Sequence, residues 1–281
     1  MIRIPTERID RFIEEDIPYI DLTSMVLGIG DCSGRMEYFT REDCVLAGAS
    51  VVRQIMERIG CRVVEGHDDG AKLKSGEVFL VAEGSAANLH AAWKVCLNVF
   101  DHLSAIATMT RKMVDAAHRA NPHCEILTTR KSMPGVKDLM TEAVMIGGAY
   151  PHRLGLSETV LVFEQHLAFL GGFDAFIERM PEFRARCIEK KLFVESGVEH
   201  ALDLAKAGVD GIQLDKIPAV ELKDVVEQIR AVNSHITLIA AGGIGLKNAE
   251  EYAGTGVDGL ATTAPFAAKP MDMSVRIVPS L

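Results

Sequence analysis

No two cysteines in this chain stand in a C-x-x-C spacing. Cys32, Cys44, Cys61, Cys96, Cys124 and Cys187 are scattered along 281 residues. That pattern excludes a zinc ribbon and a small disulfide scaffold, and reduced, buried thiols are expected. A basic run is lacking too. The 30 Lys plus Arg stand against 39 Asp plus Glu, for a net charge of −9, so nucleic acid is not an expected partner. No apolar stretch approaches the ~20 residues that cross a bilayer, so no membrane span is expected. The opening MIRIPTERID has no apolar core of a secretory signal, and a cytoplasmic location is expected. Tandem repeats, low-complexity tracts and long linkers are absent as well. What is present is ordinary globular composition, 48% hydrophobic and 25% charged, long enough for one large or two ordinary domains.

Two regimes follow one another along the chain. Residues 1 to about 105 mix helix and strand without regular alternation and read as an α+β domain. Val45, Leu46, Ala49, Val52, Ile55, Met56 and Ile59 recur at helical spacing, so a helix is expected over Thr40–Ile59. Thr40 is its expected N-cap, Asp43 an acidic first-turn residue and Gly60 its stop. Short strands are expected at Cys61–Glu65 and Glu77–Ala82. A long helix over Ser85–Asn121 joins the regimes, and its apolar first part (Ala92, Trp93, Cys96, Leu97, Phe100, Leu103) is expected to be buried in a core or against a second subunit.

Beyond it, apolar runs alternate with helical stretches. Strands are expected at Glu125–Thr128, Val160–Phe163, Leu192–Glu195, Gly211–Leu214, Ile236–Ala240 and Gly259–Ala261. Helices are expected at Glu199–Ala207, Ala219–Val232 and Lys247–Gly254. Continuous apolar strands alternating with helices imply a parallel sheet in an α/β domain.

Polar residues and glycines recur where these strands hand over to their loops. Thr129, Arg130 and Lys131 follow the first strand, and His152 and Arg153 lie before the second. Glu195, then Asp215 with Lys216, close the next two. Gly242 and Gly243, then Thr262 and Thr263, follow the last two. In a βα barrel those carboxyl ends share one rim, where active sites are built. Arginines and lysine there suit phosphates or carboxylates. The glycines at 242–245, ahead of a helix expected from about Leu246, let backbone amides approach an anion. Glu195 and Asp215 offer oxygen ligands for Mg²⁺, or they are ion-paired structural residues.

Whole segments are also recognisable. T-R-K-S-M-P-G (Thr129–Gly135), G-G-A-Y-P-H-R-L-G-L-S-E (Gly147–Glu158) and L-N-V-F-D-H-L-S-A-I-A-T (Leu97–Thr108) are similar to T-R-K-T-x-P-G, G-G-x-x-x-H-R-x-x-L-x-D and L-N-x-L-Q-R-L-S-G-I-A-T. So are E-D-I-P-Y-I-D-L-T (Glu15–Thr23), A-A-G-G-I (Ala240–Ile244) and T-G-V-D (Thr255–Asp258). Taken in order along the chain, they resemble the quinolinate phosphoribosyltransferases, also called nicotinate-nucleotide pyrophosphorylases. L-D-K-I (Leu214–Ile217), where those enzymes usually have L-D-N, and the ending A-T-T-A-P-F-A-A-K-P (Ala261–Pro270) resemble a branch associated with molybdenum-transport genes.

The resemblance implies an α/β fold made of an N-terminal α/β sandwich domain and an open α/β barrel. Residues 1–105 would form the first, joined by a C-terminal tail over 267–281, and residues 106–266 the second. It implies a homodimer, possibly a higher oligomer, in which the N-terminal region of one subunit completes the barrel site of the other. Arg130, His152 and Arg153 match the family's carboxylate and phosphate binders, and Lys131 its lysine near phosphoribosyl pyrophosphate. Glu195 and Asp215 match its metal and ribose carboxylates. Gly242, Gly243, Thr262 and Thr263 match its phosphate-cradling loops.

Two positions depart from the family. Lys94 stands where it has an arginine before V-A-L-N, and Phe163 where it has the lysine of K-D/E-N-H. Quinolinate is a dicarboxylate, and an uncompensated buried charge is costly, so a less charged planar base is expected, with Phe163 stacking on it. The expected activity is Mg²⁺-dependent transfer between phosphoribosyl pyrophosphate and a small heterocyclic base, or its reverse. The alternatives are quinolinate phosphoribosyltransferase itself, a barrel aldolase using Lys131 or Lys216 as a Schiff base, and a non-catalytic ligand-binding accessory of molybdate transport.

Overall fold

The computed structural model describes residues 2–280. Its elements run in chain order as α1 (Thr6–Asp16), α2 (Leu22–Leu27), β1 (Ser33–Thr40), β2 (Cys44–Val45), α3 (Ala49–Ile59), β3 (Arg62–Gly66), β4 (Lys72–Leu73), β5 (Val78–Ser85) and the long α4 (Ala86–Ala120). Then come β6 (Glu125–Thr128), α5 (Lys137–Ile146), β7 (Tyr150–Pro151), β8 (Val160–Val162), α6 (Glu164–Leu170), α7 (Phe173–Glu178), α8 (Met180–Arg186) and β9 (Leu192–Ser196). The chain continues with α9 (Val198–Ala207), β10 (Gly211–Asp215), α10 (Ala219–Val232), β11 (Thr237–Ala241), α11 (Ala249–Ala253), β12 (Gly259–Thr262) and β13 (Met273–Pro279). No described helix is long and apolar enough to cross a membrane.

The chain forms two compact units. One comprises residues 1–111, 133–148 and 265–281, the other residues 112–132 and 149–264. The first holds an antiparallel sheet of order β13-β1-β5-β3. Its outer strand comes from the chain's far end, with β13 pairing β1 from Gly34↔Pro279 to Thr40↔Met273. Tyr38, Phe79 and Phe100 form its buried aromatic cluster, with Phe79 and Phe100 edge-on at 4.9 Å between centroids. Ala92, Cys96 and Phe100 of α4 are fully buried here and Leu97 and Leu103 are buried, whereas Trp93, expected among them, is 36% exposed.

The helix expected from Thr40 starts at Ala49 instead. Thr40 ends β1, and its Oγ1 donates to Glu42 O at 2.7 Å. Cys44 and Val45 are drawn into a two-strand ladder with Leu73 and Lys72. The cap is supplied from a distance: the Asp69 carboxylate accepts from Ala49 N–H at 2.7 Å and Ser50 N–H at 3.1 Å, satisfying two donors of the helix's first turn. Gly60 does stop the helix, at φ 89°.

The second unit is a seven-stranded parallel sheet of order β7-β6-β12-β11-β10-β9-β8. β7 and β8 are its edges, so the barrel is open. The six expected strands form within a residue or so of their expected ends. The short β7 and the helices α6 to α8 lie outside those expectations.

Each strand alternates inward and outward with period two. The odd-numbered Leu161, Phe193, Ile239, Ala241 and Ala261 form one buried cluster, with Leu127 and Phe163 packed on it. The even-numbered Ile126, Val194, Ile212, Leu214 and Leu238 are buried on the opposite faces. The odd phase therefore carries Glu195, Gln213 and Asp215 to the inside of the sheet, at the carboxyl ends of their strands.

Candidate active site

At that rim lies a cavity of about 670 Å³ lined by Thr129, Arg130, Lys131, His152, Arg153, Phe163, Glu195, Gln213, Asp215, Lys216, Gly242, Gly243, Thr262 and Thr263, with Leu161, Ala241, Ile244 and Ala261 beneath. Every site residue expected from the sequence is among them except Lys94. Lys94 lies exposed on α4, its ammonium 4.9 Å from the centroid of the Trp93 ring.

The cavity has a cationic side. Arg130 and Lys131 are exposed, whereas Arg153 is buried and its Nη1 donates to Thr159 O at 3.4 Å. Burial, and then the charge of Arg130, lowers the Arg153 pKa, yet a guanidinium stays protonated. Burial, and then Arg153, holds the His152 imidazole below its usual pKa, so it is neutral at pH 7. Phe163 sits between the Arg153 guanidinium and the apolar floor. Its ring packs on the interior cluster, and the Arg153 guanidinium carbon lies 5.9 Å from its centroid. Phe163 N–H donates to His166 Nδ1 at 2.9 Å, and the two rings stack at 5.8 Å.

The anionic side is Glu195 and Asp215. Burial, and then the neighbouring charge of Asp215, pushes the Glu195 carboxyl above its usual range. The Gln213 amide, Lys216 and Lys131 act in the opposite direction. Gln213 Nε2 makes a short hydrogen bond to Glu195 Oε2. Asp215 Oδ2 pairs with Lys216 Nζ at 2.9 Å, and this partner raises the Lys216 pKa. A Schiff-base lysine needs the opposite shift, which counts against the aldolase alternative for Lys216.

Among the described residues no cluster of three or more His, Cys, Asp or Glu could hold a metal ion by itself, and the two carboxylates at this rim are a donor set of the size Mg²⁺ takes. That ion takes one or two carboxylates and completes its shell with substrate phosphates and water.

The glycine loop differs from its expected form. α11 begins at Ala249, not near Leu246, and has five residues. The loop before it is shaped by Asn248, whose Oδ1 accepts from Gly245 N–H at 2.8 Å and whose Nδ2 donates to Gly243 O at 3.2 Å. Thr262 is expected as a phosphate ligand, but its hydroxyl is committed elsewhere. It donates to Ile244 O at 2.6 Å and accepts from Ala264 N–H at 3.0 Å.

Gln213, Lys216 and Asn248 are the additions that the sequence reading missed or left without this role. For Gln213 the signal was available: a polar residue two positions before Asp215 in an apolar strand must share its face.

The chain matches the family model described as quinolinate phosphoribosyl transferase, C-terminal domain, over residues 106–276. The N-terminal domain of the same family matches residues 21–104. The chain is 30% identical over 281 residues to the ModD protein of Escherichia coli O157:H7, named as a pyrophosphorylase, covering 100% of this chain and 99% of that one. It is 33% identical over 278 residues to the nicotinate-nucleotide pyrophosphorylase (carboxylating) of Mycobacterium leprae, covering 97% and 94%. Among solved structures, the nicotinate-nucleotide pyrophosphorylase of Ehrlichia chaffeensis superposes with a TM-score of 0.89 at 25% identity, covering 99% of this chain and 100% of that one.

Proposed function

The chain belongs to the quinolinate phosphoribosyl transferase family, and from that premise we propose that it is a pentosyltransferase. It joins a small nitrogen heterocycle to the phosphoribosyl group of phosphoribosyl pyrophosphate, or runs that reaction backwards. The observation that carries this reading is that one cavity is lined both by cations, Arg130, Lys131 and Arg153, and by two carboxylates, Glu195 and Asp215. Such a site suits a substrate that is anionic at its phosphates and becomes cationic at its sugar as the bond breaks.

Lys131 and Arg130 bind the pyrophosphate, and the Gly242–Gly243 loop with Thr263 receives phosphate oxygens. As the C–O bond to pyrophosphate breaks, the ribose ring takes on oxocarbenium character. Glu195 and Asp215 hold the ribose hydroxyls and favour that positive charge. The lone pair of the base nitrogen then forms the new C–N bond. Glu195 and Asp215 are also the residues that would hold Mg²⁺, which when bound supplies positive charge against the departing pyrophosphate.

Quinolinate turnover itself is the second reading, favoured by the 33% identity to the Mycobacterium leprae enzyme. Against it stand Phe163 and Lys94, which leave less cationic capacity for two carboxylates. The test is a panel of pyridine carboxylates, purines and other bases incubated with phosphoribosyl pyrophosphate and Mg²⁺. Nucleotide is read by mass spectrometry and pyrophosphate by a coupled assay. Lys131→Ala, on an exposed side chain, is expected to keep the fold and lose binding of phosphoribosyl pyrophosphate by calorimetry. Unchanged affinity in that variant, or binding without turnover across the whole panel, overturns the enzymatic reading in favour of a ligand-binding accessory.

A further inference from the structure

Lys216 is the one non-glycine residue with positive φ, 56°, among the described residues. Left-handed backbone is costly for an L-residue with a long side chain. Such strain persists where the surroundings over-determine it, commonly at binding sites. Three contacts do so here. Lys216 N–H donates to Ala241 O at 2.9 Å, tying the end of β10 to the end of β11. Its stem lies across Gly242, where an added Cβ would sit 2.5 Å from Lys216 Cγ and 2.8 Å from its backbone nitrogen. Its ammonium lies 2.9 Å from Asp215 Oδ2. The backbone of Lys216 and the start of its stem are thus fixed against the glycine loop.

The two ends of that ion pair are unequally buried. The Asp215 side chain is 25% exposed and that of Lys216 80%. One carboxylate does not use up the three donors of the ammonium, and Lys216 lines the cavity that Arg130 and Lys131 also line.

We propose that Lys216 is a pyrophosphate-binding residue, a cation built into the carboxylate side of the site and held in place by Asp215 until a polyphosphate anion arrives. This rests on the phosphoribosyl-transfer reading, which needs cations for the leaving group. With Lys216 the pyrophosphate gains a cation beyond Arg130 and Lys131, placed at the strand end that carries Asp215. The same lysine makes the glycine at 242 a spatial requirement, since any side chain there would displace its stem.

The probe is inorganic pyrophosphate, titrated by calorimetry into the full chain, once with Mg²⁺ and once with EDTA. Lys216→Asn is the informative variant, because asparagine tolerates left-handed backbone better than lysine and so removes the charge without adding strain. It is expected to weaken pyrophosphate by about tenfold, the scale of one charge-assisted hydrogen bond, with an unchanged melting curve. Lys216→Arg is expected to restore most of the affinity. Equal affinity of wild type and Lys216→Asn in both buffers overturns the proposal. If Lys131→Ala still weakens binding in that case, the phosphoribosyl-transfer reading stands without it. If the wild type binds no pyrophosphate in either buffer, both fall.

Discussion

Gln213 and Glu195 face each other in register on the neighbouring parallel strands β10 and β9, and the amide of the first donates to the carboxylate of the second. Both side chains are on the inner face, where Gln213 is buried and Glu195 half-buried. Gln213→Leu strips this carboxylate of its donor and is expected to cost about 1–3 kcal/mol of stability. Gln213→Glu sets two carboxylates against each other and is expected to cost more at pH 8. As pH falls, protonation of one of the pair relieves the repulsion, so the glutamate variant recovers relative to the leucine one. Urea unfolding at pH 5 and pH 8 reads this directly. A gap between the variants that does not change with pH contradicts it.

Asp101 on α4 accepts from Met273 N–H at 3.2 Å through Oδ1, fastening the start of β13. Burial is the main cause that pushes its carboxyl up to about 6. An unfolded aspartate titrates near ~3.9. The native state thus favours the protonated form, and this stabilisation is present below pH ~4 and is lost as pH rises through about 6. Asp101→Asn keeps the acceptor and removes the charge. It is expected to be more stable than wild type at pH 8, by on the order of 1 kcal/mol after allowing for a half-exposed group. The advantage shrinks below pH ~4. Thermal melts across that range check it, and a constant or reversed difference refutes it.

Residues 19–27 expose a run of large apolar side chains, with Tyr19 92%, Val26 72% and Leu27 63% exposed. Apolar surface concentrated in this way marks an association site. A homodimer burying more than ~2,000 Å² is expected, the scale of obligate interfaces. Val26→Asp is expected to shift sedimentation at micromolar concentration toward monomer, and a wild type that is already monomeric contradicts the expectation. If Lys94 serves the partner's site, mixing inactive Lys94→Ala and Lys131→Ala chains restores part of the activity in heterodimers.

Phe163 places an aromatic ring at the edge of the cavity floor, beneath the Arg153 guanidinium. Wild-type kcat/KM for quinolinate is expected to lie below ~10⁴ M⁻¹s⁻¹, the low end for ordinary enzymes. A less charged planar base is expected to be preferred, its stacking on Phe163 worth about 0.5–1.5 kcal/mol. Phe163→Lys is expected to raise quinolinate turnover and weaken the preferred base. If the added lysine changes neither, the ring is floor alone, and Lys94→Arg is the next change to combine with it.

Period and spacing in the sequence determined β6 and β8 to β12 of the barrel, because each is an apolar run that needs no distant partner to declare itself, whereas the two-residue β7 carries no such signal. The same local signals placed Arg130, Lys131, Glu195 and Asp215 at one rim, since parallel strands bring all their carboxyl ends to one side. Segment likeness pointed to the family to which the chain belongs. What tertiary structure alone decided are the contacts between residues far apart in the chain. Asp69 caps α3 from twenty residues away and so moves its start from Thr40 to Ala49. β13 reaches back to pair with β1. Thr262 turns its hydroxyl to Ile244 O instead of the cavity. Lys216 lies in left-handed backbone over Gly242 because β10 and β11 end side by side. Local propensity cannot register such contacts, because the donor, the acceptor and the space between them exist only once the chain has closed.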